Sequence, residues 1–500
     1  MNVSALPPAI RRTGRLVCLA AFVVYLATTG GSMATDTMSY EVTKAIIEQR
    51  SVAMSGKVLN LEAHVGVDGR YYAPYGIGHA LYGVPFYLAG RFVEVQMGVS
   101  VGRSDALRKA AFVVGSAVAT ALVIWIVFLF AWRLSEHRSA AVSTALAVAF
   151  GTLLWPYAKY GFNAPLATLA VVAGVYATWL GVRAQRQGVV ALAGAAFGGA
   201  LLVRPELALA GVVAAVWSAA EVREWRRAAR VWAALAAPAV VAIGVMFVYN
   251  YVRFGDIRDT GYLRDAGAGF SAWHARWEGI AGLLVSPGRS LFLYSPVTLA
   301  GIVALAGWFR RDRSTAMLLA GVCAILFLFY ASLEYWDADR SYGPRYLLPI
   351  IPLLCLPLVS WFADATAHRL LPWAVAGSVL VQIPGIAMDF TKAGPALGVS
   401  HPLLERRWNW RVSGLTTNTR ALAHYLPDNI RYVAGLATPP AVRPPVGRDT
   451  GFSEQFGYSL DFWWLYLFYF GKFSRLTMIA VALSLAGLAG WSIARARSPG

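Results

Sequence analysis

The feature that most limits how this chain can fold is a repeated one: apolar stretches, each close to the length that crosses a bilayer, separated by short polar turns. Roughly 20 apolar residues span the hydrocarbon core, and each backbone group there must be satisfied within the structure, which makes the spans helical. The stretches fall at 14–32, 109–132, 139–156, 164–182, 189–204, 205–220, 229–250, 290–309, 314–333, 346–363, 371–389 and 476–494. An all-α polytopic membrane protein of about 12 transmembrane helices is therefore expected. Composition excludes the alternative of several soluble domains, since 58% of the 500 residues are apolar and only 14% are charged, with a mean hydropathy of +0.54. Arg11, Arg12 and Arg15 ahead of the first run look like the start of a signal peptide, but the run ends in TGGSMATD without a small-x-small cleavage pattern leading to a soluble domain. It reads as a retained first helix.

Charge sets the sidedness. The stretch YGIGHALYGVPFYLAGRF (75–92) is the ambiguous one, because counting it as a span reverses everything after it. With 75–92 lying at the interface, the N-terminus and the segments 133–138, 183–187, 221–230, 310–313, 364–370 and 495–500 share one side. They hold 17 of the 44 Lys/Arg and only five acids: Glu136, Glu221, Glu224, Asp312 and Asp364. Short basic loops stay in the cytoplasm. Both termini of this multi-pass membrane protein are thus expected to be cytoplasmic. The net charge of +18 follows from this topology and implies no nucleic-acid partner.

The same placement divides the chain. Residues 1–389 form a transmembrane core whose first external loop (33–108) holds an amphipathic helix near 36–50, with Met38, Val42, Ile46 and Ile47 opposite Lys44, Glu48 and Gln49, and the interfacial stretch 75–92. Residues 390–475 form a second external segment, rich in Pro, Arg and Trp. Its end, DFWWLYLFYFGKF, reads as an interface-lying helix. Residues 476–500 are the last span and a cytoplasmic tail.

Polar residues on the external side are the candidates for chemistry. In MATDTMSYEVTKAIIEQRS (33–51), Asp36 heads the amphipathic helix, with Tyr40 one turn on and Glu41 beside it. A partly desolvated carboxylate there could take a proton from a hydroxyl; the plain alternative is a helix cap. In RPELAL (204–209), Arg204 and Glu206 sit at the bilayer edge, where charge is costly and either paired or functional. EYWDADRSYGPRYLLP (334–349) crowds Glu334, Asp337, Asp339, Arg340 and Arg345 at a span entry, where a guanidinium and helix-start amides could hold a phosphate or merely anchor the helix. Arg289 in SPGRSLFLYSP (286–296) stands at a similar level. The histidines are scattered, Cys18, Cys323 and Cys355 lie far apart, and there is no Walker A sequence. No cofactor is indicated, and a divalent metal held by acids alone has no motif behind it.

The order of these features resembles the GT-C superfamily of membrane glycosyltransferases, nearest to its protein O-mannosyltransferase and aminoarabinose transferase branch. The stretches TDTMSY, YYAPYGIGHALYGVPFYLAGR, NYVRFG, SPGRSLFLYSP and SYGPRYLLPIIPLL carry the resemblance, over most of the chain up to about residue 390. It implies transfer of a sugar, with inversion, from a polyprenyl-phosphate-type lipid donor to an acceptor hydroxyl on the external face, the acceptor being a glycan, lipid or protein. It implies that Asp36 serves as base, with Glu41 as a second acid displaced along the helix because Thr37, not an acid, follows Asp36. It implies that Arg345, backed by Arg204 and Arg289, holds the donor phosphate, with Tyr40, Tyr75, His79, Asp339 and Arg340 around the acceptor or groove. The competing reading is a polytopic transporter or lipid flippase, which would show two related halves; none is evident.

Overall fold

The computed structural model describes residues 6–30, 37–55, 63–98, 105–262, 276–338, 341–364, 369–399, 403–437 and 458–498. It is a helical bundle. In chain order the helices are α1 (Pro8–Ala27), α2 (Thr37–Gln49), α3 (Gly78–Gln96), α4 (Ala106–Ser135), α5 (Arg138–Phe150), α6 (Leu154–Ala158), α7 (Ala164–Arg183), α8 (Gln187–Val203), α9 (Ala208–Glu221) and α10 (Trp225–Phe254). There follow α11 (Arg276–Val285), α12 (Leu291–Tyr294), α13 (Val297–Arg311), α14 (Arg313–Ala331), α15 (Ile351–Cys355), α16 (Leu358–Ala363), α17 (Leu371–Ala387), α18 (Ala393–Ala396), α19 (Leu403–Trp408), α20 (Gly414–Ala434), α21 (Trp463–Tyr469) and α22 (Arg475–Arg497).

Each expected span coincides with a helix or a chain of short helices. Among the described residues α4, α7, α10, α14 and α22 are long and apolar enough to cross a membrane by themselves, and shorter apolar helices complete a polytopic bundle. Burial ranks them: 72% of the most apolar stretch of α4 is buried, against 17% for α10 and for α22, so α4 is central and the other two face lipid.

Three expected spans are interrupted, two of them at prolines. The 290–309 stretch breaks at Ser295–Pro296 into α12 and α13, since proline cannot donate to the preceding turn. The 346–363 stretch is a 3-10 helix (Arg345–Ile350) followed by α15 and α16, with Pro349, Pro352 and Pro357 interrupting the α ladder. The 139–156 stretch ends at Phe150 and re-forms as α6. At the other boundary of interest α17 stops at Ala387, leaving Asp389 beyond it.

The two long connections gather at one end of the bundle and tight turns occupy the other. At the turn end Arg183 makes a two-point ion pair with Asp312 (2.9 and 3.1 Å) and a second with Glu221 at 3.2 Å, tying three turns together. At the long-loop end, α2 and α3 pack on the start of α4. Arg108 joins them, paired with Glu48 of α2 at 2.8 Å and Glu94 of α3 at 2.9 Å. A two-stranded hairpin (His64–Val65 with Tyr71–Tyr72) rests on α10, where Val67 donates to the Arg253 carbonyl.

Removing Arg108 should be costly, because Glu94 is only 1% exposed and would lose its paired cation. Arg108→Met is expected to cost about 3–5 kcal/mol, seen as a lowered unfolding temperature in detergent, and Glu94→Gln in the same background should recover part of it. An unchanged unfolding temperature in Arg108→Met would contradict this account of how the first loop is fastened.

Candidate functional site

The arginines singled out from the sequence come together at the long-loop end. Tyr346, in the 3-10 helix that opens the interrupted span, is their meeting point. The Arg204 guanidinium lies 5.2 Å from its ring centroid and that of Arg345 lies 5.7 Å away. Arg345 also covers the ring of Phe162 at 4.5 Å and donates to the Ala338 carbonyl at 3.4 Å. Arg289 is 3% exposed and donates to the carbonyls of Ser341 (3.0 Å) and Gly288 (2.9 Å), so it braces the turn that leads into Arg345. Tyr157 locks the same turn: its hydroxyl donates to the Tyr342 carbonyl at 3.1 Å and accepts from the Tyr342 N–H at 3.0 Å, within the field of both Arg289 and Arg345.

Arg204 and Glu206 do not bond each other, as a simple surface pair would. Arg204 donates through Nε and Nη2 to Asn163 Oδ1 (3.1 and 2.6 Å), and Glu206 accepts the Tyr330 hydroxyl at 2.9 Å. Arg204 is 4% exposed and its Nη1 has no acceptor among the described residues. Buried N–H groups are rarely left that way, and a guanidinium edge with a spare donor, with a second guanidinium at the same Tyr346 ring, suits an anionic oxygen cluster.

Asp36 lies outside the described residues, as do Asp339 and Arg340. Tyr40 is fully buried, its ring 5.7 Å from both Tyr87 and Phe112, so it holds α2 against α3 and α4. Glu41 faces Lys44, Lys109, Asp105 and Glu48 rather than the arginines, and burial raises its carboxyl above the usual range against the pull of the lysines. His79 is buried against Phe112 (5.1 Å) and Tyr75 pairs with Tyr262 (6.1 Å).

Next to the arginines lies a cluster that sequence reasoning missed. Lys159, fully buried between α6 and α7, donates to the carbonyls of Ile386 and Asp461 and pairs with Asp461 Oδ2 at 2.9 Å. Tyr160 and Tyr466 donate to the two Asp461 oxygens, each at 2.9 Å. Asp389, also fully buried, accepts from the N–H and hydroxyl of Thr391 at 2.8 and 2.6 Å. Phe390 then packs on Phe162, the ring beneath Arg345, at 6.3 Å and 9°. The residues after Asp461 cap α1: Trp463 and Trp464 donate their indole N–H groups to the carbonyls of Leu26 and Ala27, each at 2.9 Å, and the Trp463 N–H reaches Thr29 O at 2.9 Å. A side chain at Gly30 would collide with the Asp461 carboxylate. Only the clustering of aromatics around Lys159 and Asp461 hinted at this in the sequence. Among the described residues no group of three His, Cys, Asp or Glu side chains could hold a metal ion.

With this geometry in place, the fold has a counterpart among solved structures, that of ArnT. The structure aligns with ArnT from Cupriavidus metallidurans bound to undecaprenyl phosphate, with a TM-score of 0.50 at 16% identity over 97% of this chain and 76% of that one. The apo form of the same ArnT gives 0.45 at 17% identity over 97% and 75%. An oligosaccharyltransferase from Archaeoglobus fulgidus tethered to an acceptor peptide gives 0.41 at 12% over 89% and 63%. No protein-family model matches the sequence, and no curated protein matches it.

The Arg204–Asn163 contact can be tested by itself. Asn163→Leu removes the acceptor of two N–H groups and should cost about 2 kcal/mol, whereas Asn163→Asp keeps it and should hold the unfolding temperature. Equal effects of the two variants would mean that the contact does not matter.

Proposed function

We propose that the protein is a GT-C glycosyltransferase that takes a sugar from a polyprenyl-phosphate-type lipid and transfers it, with inversion, to an acceptor hydroxyl at the long-loop end of the bundle. That end is periplasmic in this reading and both termini are cytoplasmic, in the inner membrane. The observation that carries the reading is the convergence of Arg204 and Arg345 on Tyr346, with Arg289 bracing the turn. The likeness in fold to ArnT, whose structure was determined with undecaprenyl phosphate, supports it.

The chemistry asks for little more. A phosphate leaving from the sugar's anomeric carbon needs no proton at neutral pH, so guanidiniums that stabilise the growing charge supply the leaving side. They are positioned beforehand: Arg204 by Asn163, Arg345 by the Phe162 and Tyr346 rings. On the attacking side one base suffices to take the acceptor's proton. Asp36 is assigned that role because in sequence it lies between α1, whose end is fixed by Trp463 and Trp464, and α2, which Arg108 clamps to α4. Glu41 is the second acid of this loop. Residues 1–389 serve as the catalytic core, 390–475 as the acceptor-side element, and the last helix as an anchor. The acceptor is a glycan, lipid or protein hydroxyl.

The experiment is a transfer assay with purified protein and labelled polyprenyl-phosphate sugars. Arg345→Ala should weaken donor binding by about tenfold to a hundredfold, the range of one charge-assisted contact, and Asp36→Asn should abolish transfer while leaving donor binding in place. Full transfer by Asp36→Asn would remove the base assignment, and unchanged donor affinity in Arg345→Ala would remove the phosphate site.

A further inference from the structure

The Lys159 cluster has no part in the transfer chemistry above, and its charges do not balance. One ammonium faces two carboxylates, all three side chains completely buried. Asp461 is well served, with both oxygens bonded by tyrosine hydroxyls and one paired with Lys159. Asp389 is not. Its Oδ1 takes both Thr391 donors, while Oδ2 has none among the described residues. A second buried negative charge with a bare oxygen is expensive in a dry environment, and a proton on Oδ2 removes the excess.

The two acids also belong to different parts of the chain. Asp389 follows α17, while Asp461 belongs to the segment that crosses to α1 and holds its last carbonyls. Repulsion between them therefore acts across the seam where that segment docks. We propose that Asp389, Asp461 and Lys159 form a proton-operated latch: with Asp389 protonated, the segment Tyr458–Phe470 stays seated on α1 and the α6–α7 turn, and with Asp389 ionised its seating loosens.

Two neighbouring elements bring ionisable groups to Asp389. Lys159 and Tyr160 come from the α6–α7 turn, and Asp461 and Tyr466 from the docked segment. The turn after α1 brings Gly30 against Asp461, and Asn418 of α20 donates to the Met388 carbonyl at 3.1 Å; neither is charged. Burial first, then the Asp461 charge, raises the Asp389 carboxyl from the ordinary 3.8 to about 6, against the Thr391 hydrogen bonds and Lys159. A carboxyl raised in the docked state binds its proton more tightly there than when undocked. Docking is therefore strongest below the ordinary value and weakens as pH rises through the raised one. Because Phe390 packs on the ring beneath Arg345, loosening of this seam reaches the arginine site directly.

The test is amide hydrogen exchange of Tyr458–Phe470 in the full-length protein in nanodiscs, corrected for intrinsic exchange, from pH 5.5 to 8. With Asp389 at about 6 docked and at 3.8 undocked, protection should fall about fourfold across that interval. Asp389→Asn should stay protected and lose the pH dependence. Thr391→Val, which removes a donor that favours the ionised carboxylate, should move the midpoint upward without disturbing the fold. Protection that does not vary with pH in the unaltered protein, or a fourfold fall retained in Asp389→Asn, would overturn the latch. Should Asp389→Asn fail to fold, an unshifted midpoint in Thr391→Val overturns it instead.

Discussion

The buried Lys159–Asp461 pair is the contact on which the long-loop end of this bundle depends. One ammonium engages the last turn of α17, the backbone and carboxylate of Asp461, and through Asp461 the neighbourhood of Gly30. Segments more than 300 residues apart in sequence are thereby fixed around one point. Removing one member of a buried pair leaves an uncompensated charge and costs about 3–5 kcal/mol. The same pair holds the aromatic wall of Tyr160, Phe162 and Phe390 in place, and Arg345 lies on that wall. Stability and site geometry at this end thus have a common origin.

A second constraint comes from the membrane setting. Helix ends near lipid cannot leave carbonyls bare, and side chains from distant segments close two helix ends and one loop carbonyl around the site. Trp463 and Trp464 close α1. Asn418 closes α17 through the carbonyls of Pro384 and Met388, and Arg253 reaches from α10 to the Ala73 carbonyl at 2.6 Å. The second long segment is therefore part of the bundle's end, with its polar side chains turned inward to serve these carbonyls. Arg407, paired with Asp337 at 3.0 Å, fastens it again close to the turn braced by Arg289.

Much of the fold was legible in the sequence because span length and apolar content are local properties. The helices at α4, α7, α10, α14 and α22 could be read directly, and so could the amphipathic helix α2. The prolines at 296, 349, 352 and 357 were visible too, yet a hydropathy window averages over them and so runs through breaks that the backbone cannot avoid. The arginines were findable one at a time, since a charge at a bilayer edge stands out. Their meeting at Tyr346 was not, because it depends on how α8 and the 3-10 helix pack. Lys159 and Asp461 were harder still. Each reads as an ordinary loop charge beside an aromatic run, and nothing local links residues 302 positions apart. Asn163 and Phe162 escaped for a related reason: an amide and a ring acquire meaning only from the guanidiniums above them.

The central claim is that Arg204 and Arg345, gathered at Tyr346, receive the phosphate of a polyprenyl lipid. A cryo-electron microscopy map of the full-length protein in nanodiscs with added polyprenyl phosphate tests it most directly. The account predicts phosphate density within hydrogen-bond distance of both guanidiniums, on the side of Arg204 where Nη1 lacks a partner among the described residues. Phosphate density elsewhere on the bundle, with the arginines in contact only with protein, would contradict it.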